Sequence, residues 1–156
     1  MSRPVARCGL VALLSLASAS CTTLSWLLHP PARLRACPGA IPAAGTLGEV
    51  DRAWRDRARY RGEKVDVGFV LVAEKQADRL VLVALNNFGA QMFSVVQRGD
   101  EIEVESSLGR ALQVPPETVL RDWYAARTSV GGASGRLELA RPECGYTVIF
   151  VPEAAG

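Results

Sequence analysis

Short, closely spaced segments with strand character constrain the fold of this chain more than any other sequence feature. Residues 64–74 and 101–105 alternate apolar with polar side chains, which is the period of a half-buried β-strand. Residues 79–85 and 91–96 are short apolar runs bounded by polar turns. The connections are only a few residues long, whereas parallel strands need long crossovers. The sequence therefore predicts an antiparallel meander.

The remaining segments predict further strands and a single helix. A proline-rich start at Pro115–Glu117 suits a first helical turn, and Val119, Leu120, Trp123 and Tyr124 follow at helical spacing. Residues 137–139 and 146–151 return to strand character. We expect a mainly β (α+β) domain, an antiparallel open half-barrel of about six or seven strands with one packed helix.

Three of these strands, residues 79–85, 91–96 and 146–151, are apolar on both faces, so something has to cover the second face. One interpretation is a filled core, with the helix on one side and a curled neighbouring strand on the other. The other is a concave, incompletely filled half-barrel with space for acyl chains. In the second interpretation the cavity is lined by Phe69, Leu82, Phe93, Leu120, Trp123 and Phe150.

The N-terminus predicts export. Arg3 and Arg7 precede an apolar stretch, and small residues lead up to Cys21, which together resemble a secretory signal over residues 1–20. A cysteine at this point predicts a lipoprotein that is cleaved before Cys21 and acylated on its thiol with palmitate. Two alternatives remain open: cleavage by an ordinary signal peptidase, or an uncleaved membrane-spanning helix.

A proline-rich stretch separates the signal from the predicted domain. Residues 21–47 lack an amphipathic period and are expected to form an extended tether, followed by a domain over residues 48–156. Cys37 and Cys144 remain in the mature chain, and an oxidising compartment favours a disulfide between them. Two unpaired thiols are the alternative.

The residue types in the predicted domain favour a protein that is not an enzyme. The single histidine, His29, lies in the tether, so the usual Ser–His and Cys–His pairs are missing from the domain. No metal site and no cofactor are expected, and Glu101, Glu103 and Glu105 are interpreted as a solvated sheet face. The net charge of +2 includes Arg3 and Arg7, which argues against nucleic acid as a partner.

Two surface features suggest contacts with other molecules. Four arginines alternate along one predicted strand, and they either contact anionic headgroups or an acidic partner, or pair across strands with the glutamates or Asp66; these are Arg55, Arg57, Arg59 and Arg61. Phe88 lies in the turn Asn86–Gly89, where the turn itself does not need an aromatic residue. Phe88 either folds back onto the helix or projects towards a lipid phase or another protein.

These motifs together resemble the LolB family of outer-membrane lipoprotein receptors and its small single-domain relatives. The resemblance runs from Tyr60 to Trp123: Arg61–Gly62, then the turn Asn86–Gly89 in place of Asn-Pro-Leu-Gly, then Leu120-Arg121-Asp122-Trp123 in a proline-initiated helix. It implies a LolA/LolB-like half-barrel that accepts acyl groups, with Phe88 in the place of the protruding leucine that assists transfer into the membrane.

The leading hypothesis is therefore a non-enzymatic lipoprotein of the outer membrane, facing the periplasm, that binds or transfers acyl-bearing cargo. Its expected partners are membrane lipids or acylated proteins, with a periplasmic carrier protein as donor, and the chain itself is expected to be a monomer. The alternative is a structural or interaction protein of the envelope with a filled core that docks a protein partner.

Overall fold

Among the residues that the structure describes, the fold is one open antiparallel sheet with one helix packed against one face. The structure is a computed structural model that describes residues 31–48, 51–129 and 135–153. Residues Ala32–Gly156 form one compact unit. The seven strands are β1 (Arg52–Gly62), β2 (Asp66–Gln76), β3 (Arg79–Leu85), β4 (Gln91–Arg98), β5 (Glu101–Ser106), β6 (Leu137–Arg141) and β7 (Tyr146–Pro152).

The strand order in the sheet is β5-β4-β3-β2-β1-β7-β6, and all pairs are antiparallel. The first five strands form the predicted meander, and β7 returns to pair with β1. The sheet is open rather than closed into a barrel, so the predicted fold class is confirmed. A register shift between Ala84 and Leu85 marks a bulge where β3 approaches its turn into β4.

The helix α1 (Pro116–Thr128) begins where the sequence predicts it to begin. Pro116 is in the first turn, Glu117 complements the positive end of the helix dipole, and Arg127 lies in the last turn. Nine of its residues are buried, including the polar Arg121 and Asp122. A helix that is buried this extensively must be covered on more than the side that faces the sheet.

Besides the sheet, the segment 32–48 also covers α1, and we call this segment the N-terminal strap. Leu34 and Ala44 of the strap are buried in the core, and a short 3-10 helix spans Ala44–Leu47. The strap is fixed by hydrogen bonds, from Leu34 N to Gln113 O at 2.8 Å and from Gln97 Nε2 to Pro42 O at 2.7 Å. The expected tether over residues 21–47 is therefore corrected: residues 32–47 belong to the folded domain.

We call the sheet face that packs against α1 the inner face and the opposite one the outer face. Inner-face residues such as Leu71, Leu82 and Val95 are at most 1 % exposed. Outer-face residues of the same strands, such as Val72 and Val83, are only partly buried. The apolar residues that the sequence places on the second face of β3 thus remain half-exposed. Two further 3-10 turns lie at Gly109–Ala111 and Pro142–Cys144.

Candidate functional site

The turn between β3 and β4 is held in a defined conformation by one asparagine. The Asn86 Oδ1 atom accepts hydrogen bonds from the backbone N–H groups of Phe88 and Ala90, each at 2.9 Å. Gly89 has φ +80°, which an L side chain rarely adopts, and its N–H donates to Asn86 O at 2.9 Å. The side chain of asparagine thus replaces the backbone partners that a tight turn lacks.

Phe88 projects from this turn into solvent. It is 96 % exposed, whereas the other exposed large apolar residues in the described part of the chain, Val104, Leu108 and Val151, are between 37 and 43 % exposed. Of the two positions expected for Phe88, the structure contains the projecting one. Because the turn is fixed by the Asn86 hydrogen bonds, the phenyl ring is presented rather than left on a loose loop.

The six residues expected to line a cavity are core residues instead. Each is at most 2 % exposed, and they belong to one continuous hydrophobic cluster between the sheet and α1: Phe69, Leu82, Phe93, Leu120, Trp123 and Phe150. The physical reason is that α1 and the N-terminal strap cover the inner face of the sheet. The interpretation of these residues as a cavity lining is corrected, and the filled-core alternative describes this conformation.

A recess of about 590 Å³ lies on the surface beside the strap, but its lining is highly charged. Its walls include Arg33, Arg35, Glu63, Lys64 and Glu143. An acyl chain requires an apolar wall, so this recess does not take the place of the expected cavity.

A buried carboxylate on β1 joins the sheet to the C-terminal half of α1. Asp56 is fully buried; its Oδ2 accepts a hydrogen bond from Trp123 Nε1 at 3.0 Å, and its Oδ1 forms an ion pair with Arg127. Sequence reasoning missed this contact. The available signal was that Asp56 lies between Trp54 and Ala58 on the apolar face of β1, where a charge has to find a partner.

A second buried carboxylate, Asp122, lies on α1. It accepts hydrogen bonds from Tyr146 Oη at 2.7 Å, Arg141 Nε at 3.1 Å and Arg121 at 3.3 Å. Tyr60 Oη lies 3.5 Å from the same carboxylate. Burial, with the Asp122 charge as a further cause, raises the pKa of both tyrosines.

The arginine side chains along the outer face of β1 are paired within the chain. Arg59 forms two hydrogen bonds of 2.7 Å with Asp66, and Arg55 and Arg57 both reach Glu153, at 2.8 and 2.7 Å. Hydrogen bonds from these arginines lower the pKa of Asp66 and of Glu153. The cross-strand pairing with Asp66 that the sequence suggested is present, and Glu153 was not foreseen.

Cys37 and Cys144 form a disulfide, with their Cα atoms 5.5 Å apart. In the part of the chain that the structure describes, one group of three side chains of metal-binding type lies close together: Cys37, Glu143 and Cys144. Metal binding at Cys requires thiolates, so the disulfide form of this set is not a metal site. The bond attaches the N-terminal strap to the turn before β7.

The predicted export signal over residues 1–20, the predicted acylation site Cys21 and His29 lie outside the described residues. Within residues 31–48, 51–129 and 135–153, no helix has both the length and the apolar character needed to cross a bilayer.

Comparison with known proteins places this domain in a family. No curated protein and no solved structure is significantly similar to the chain. The family model described as "Protein of unknown function (DUF3261)" matches residues 54–146, more than half of the 156 residues. The match begins in β1 and ends at the first residue of β7, so it includes the Phe88 turn and the whole of α1. The chain belongs to the DUF3261 family.

Proposed function

We propose that this chain is a non-enzymatic, LolB-like lipoprotein of the outer membrane that contacts acyl-bearing lipid or acylated protein through Phe88. The observation that supports the proposal is the 96 % exposure of Phe88 at the tip of the β3–β4 turn. In this proposal Cys21 is the acylated residue that holds the domain at the periplasmic side of the membrane.

The energetics of the exposed ring favour an apolar partner. Moving a phenylalanine side chain from water to an apolar phase is favourable by about 1.5–3 kcal/mol. The Asn86 hydrogen bonds hold the turn in one conformation, so little conformational entropy is lost when the ring inserts. A single fixed aromatic ring is enough for transient contact, and the lipid anchor would supply lasting attachment.

The proposal differs from the expectation in where the cargo is held. Acyl groups would contact the turn, because the interior is occupied by α1 and the strap. Opening the interior would require breaking the Asp56 contacts with Trp123 and Arg127 and the hydrogen bond of 2.6 Å from Tyr124 Oη to Gln97 Oε1. Each such bond to a buried group contributes to keeping the interior closed.

The experiment compares acyl transfer by three variants of the full chain. Donor vesicles of phosphatidylethanolamine and phosphatidylglycerol contain a fluorescent acyl lipid, and its arrival in unlabelled acceptor vesicles is measured. Phe88→Ala should reduce the transfer rate by about tenfold, since about 1.4 kcal/mol corresponds to a factor of ten. Phe88→Leu should stay within about twofold of the wild type, because leucine is of comparable apolar size.

Val151→Ala is the matched control, because Val151 is a 40 % exposed apolar residue on β7, away from the turn. This control should transfer at the wild-type rate. Equal rates for Phe88→Ala and Val151→Ala, or no transfer by the wild type, would contradict the proposed role of Phe88.

A second candidate function is a structural or interaction protein of the envelope, and the filled core supports it. It predicts that the purified protein contains no acyl ligand in solvent extracts examined by mass spectrometry. It also predicts that partner binding depends on the β1 arginines, so Arg55, Arg57 and Arg59 changed together to glutamine should weaken it.

A further inference from the structure

The charged recess beside the strap has the size of a site for a small molecule. Its volume is about 590 Å³, and three segments form its walls: the start of the strap, the β1–β2 turn and the β6–β7 turn. Five side chains in these walls are charged: Arg33, Arg35, Glu63, Lys64 and Glu143. We call Arg33, Arg35 and Lys64 the basic set, and Glu63 and Glu143 the acidic pair.

The walls of the recess are fixed to one another. The disulfide joins Cys37 of the strap to Cys144 of the β6–β7 turn. Leu34 packs so closely against Gly62 that a Cβ atom at position 62 would lie 2.8 Å from Leu34 Cδ2. The Gly62 N–H donates to Val65 O at 2.7 Å and closes the β1–β2 turn. A ligand would therefore meet a preformed site, which lowers the entropic cost of binding.

The charges of the recess are available to a ligand. All five side chains are exposed, and none forms an ion pair with another described residue. By contrast, the outer-face residues Arg55, Arg57 and Arg59 each bind a carboxylate. The recess thus offers three positive and two negative charges that no described residue neutralises.

The mixture of charges identifies the class of ligand. The acidic pair repels a simple anion, and the basic set repels a simple cation. A zwitterion with a phosphate and a primary ammonium group can bind both sets, because phosphate accepts charge-assisted hydrogen bonds and an ammonium donates up to three. We propose that the recess binds the phosphoethanolamine headgroup of a membrane phospholipid. The basic set contacts the phosphate, and the acidic pair contacts the ammonium.

The recess and Phe88 lie at the same end of the sheet. β1 and β3 are both antiparallel to β2, so the β1–β2 turn and the β3–β4 turn close the same end. β5 also ends here and is followed by Leu108, an exposed apolar residue. Ser107 Oγ donates to Gln91 O at 3.0 Å and attaches this segment to the start of β4. This end therefore presents charged and apolar side chains together, the combination that binds a bilayer surface.

The predicted anchor favours a lipid as the source of the headgroup. Ala32 lies in the wall of the recess, and Cys21 precedes it by eleven residues. A chain of this length spans at most about 40 Å, so acylation of Cys21 would keep the recess near the bilayer. The inference rests on the proposed function in this respect, because the anchor and the Phe88 contact bring the recess to the membrane.

Calorimetric titration of the full chain in a mild non-ionic detergent measures headgroup binding alone. The probe is sn-glycero-3-phosphoethanolamine, and its phosphocholine and phosphoglycerol analogues are the comparison probes. The wild type should bind the ethanolamine probe at least tenfold more tightly than either analogue, because choline has no N–H donor and glycerol has no charge. The probe has no acyl chain, so failure of this inference and failure of the proposed role of Phe88 are distinguishable.

Two double variants test the two halves of the site. Arg33→Gln with Lys64→Gln removes phosphate contacts and should raise the dissociation constant for the ethanolamine probe at least tenfold. Glu63→Gln with Glu143→Gln should abolish the preference for ethanolamine over choline. All four side chains are exposed, so the fold should be retained, and circular dichroism verifies it.

Arg98→Gln with Glu103→Gln is the matched control. Both side chains are exposed, and neither lines the recess. This variant should bind all three probes as the wild type does. Equal binding of the three probes by the wild type, an unchanged constant in the basic variant, or a retained preference in the acidic variant would overturn the proposal.

Vesicles distinguish a lipid headgroup from a free one. In the transfer experiment above, replacing phosphatidylethanolamine by phosphatidylcholine in the donor vesicles should lower the wild-type rate about fivefold. The same replacement should not change the rate of the Glu63→Gln, Glu143→Gln variant. A wild-type rate that is independent of phosphatidylethanolamine would overturn the assignment to a membrane lipid.

Discussion

At the scale of single residues, the main determinants of this interior are two carboxylates that have no exposure to water. Asp56 and Asp122 are both 0 % exposed, and each is surrounded by hydrogen-bond donors. A buried charge is costly unless it is paired and hydrogen-bonded, so the donors around each carboxylate are required by its position. The two aspartates fix where α1 lies against β1 and β7.

Asp122→Asn should lower the free energy of unfolding by about 2–3 kcal/mol. The amide cannot accept from Tyr146, Arg121 and Arg141 as the carboxylate does, and it leaves the buried Arg121 and the partly buried Arg141 with a weaker partner. Urea denaturation at neutral pH measures the change. Asp66→Asn is the control: Asp66 is exposed on the outer face, so its loss should change stability much less. Equal effects of the two variants would contradict the role given to burial.

At the scale of secondary-structure elements, the N-terminal strap accounts for the closed interior. Its first half is attached to the β6–β7 turn by the disulfide, and its second half bonds to β4 through Gln97. Arg121 of α1 donates to the strap carbonyl groups of Cys37 and Pro38. These bonds act together with the burial of Leu34, Cys37 and Ala44 in the hydrophobic core, and they explain why a proline-rich stretch is part of the domain.

Replacing both Cys37 and Cys144 by serine should lower the free energy of unfolding by about 4–5 kcal/mol, which is the chain-entropy value for a loop of this length. The disulfide joins residues 107 positions apart, so its loss greatly increases the entropy of the unfolded chain. Urea denaturation with and without a thiol reductant measures the change. The reductant should destabilise the wild type and leave the double variant unaffected; a wild type insensitive to reduction would contradict the prediction.

At the scale of the whole molecule, all three tyrosines of the chain are buried in this one interior. Tyr60, Tyr124 and Tyr146 are each at most 4 % exposed. Burial raises the pKa of each above the ordinary value of 10.0, with Asp122 as a further cause for Tyr60 and Tyr146. The native protein therefore retains phenolic protons that the unfolded chain releases.

This difference predicts that the contribution of these tyrosines to the free energy of unfolding is fully present below about pH 10. The contribution decreases as the pH rises above this value, because the unfolded state then binds fewer protons than the native state. Tyrosinate absorbance should show no ionisation near pH 10 in the native protein and a cooperative step when it unfolds at higher pH. Tyr146→Phe should make the decline of unfolding free energy with pH less steep. Three tyrosines that titrate independently near pH 10 in the folded protein would contradict this prediction.

Much of the architecture follows from local sequence patterns. The alternation in β2 and β5, the short turns between strands and the proline at the start of α1 each depend on a few neighbouring residues, and these patterns predicted the open antiparallel sheet with one helix. The conformational requirements of Asn86 and Gly89 likewise predicted the turn that presents Phe88. Local steric preferences and periodicity can be recognised in a single sequence because they involve residues that are close along the chain.

What covers the inner face was decided only by the tertiary structure. The composition of residues 32–47 resembles a free spacer, and Phe69, Leu82 and Trp123 are equally compatible with a cavity wall and with a filled core. The outcome depends on contacts between residues far apart in sequence, such as Arg121 with Cys37 and Asp56 with Trp123. By itself the sequence determined the strands, the helix and the exposed turn, since these obey local rules. Only long-range packing decided that the interior is closed, because a buried charge or ring becomes stable through partners that no local pattern identifies.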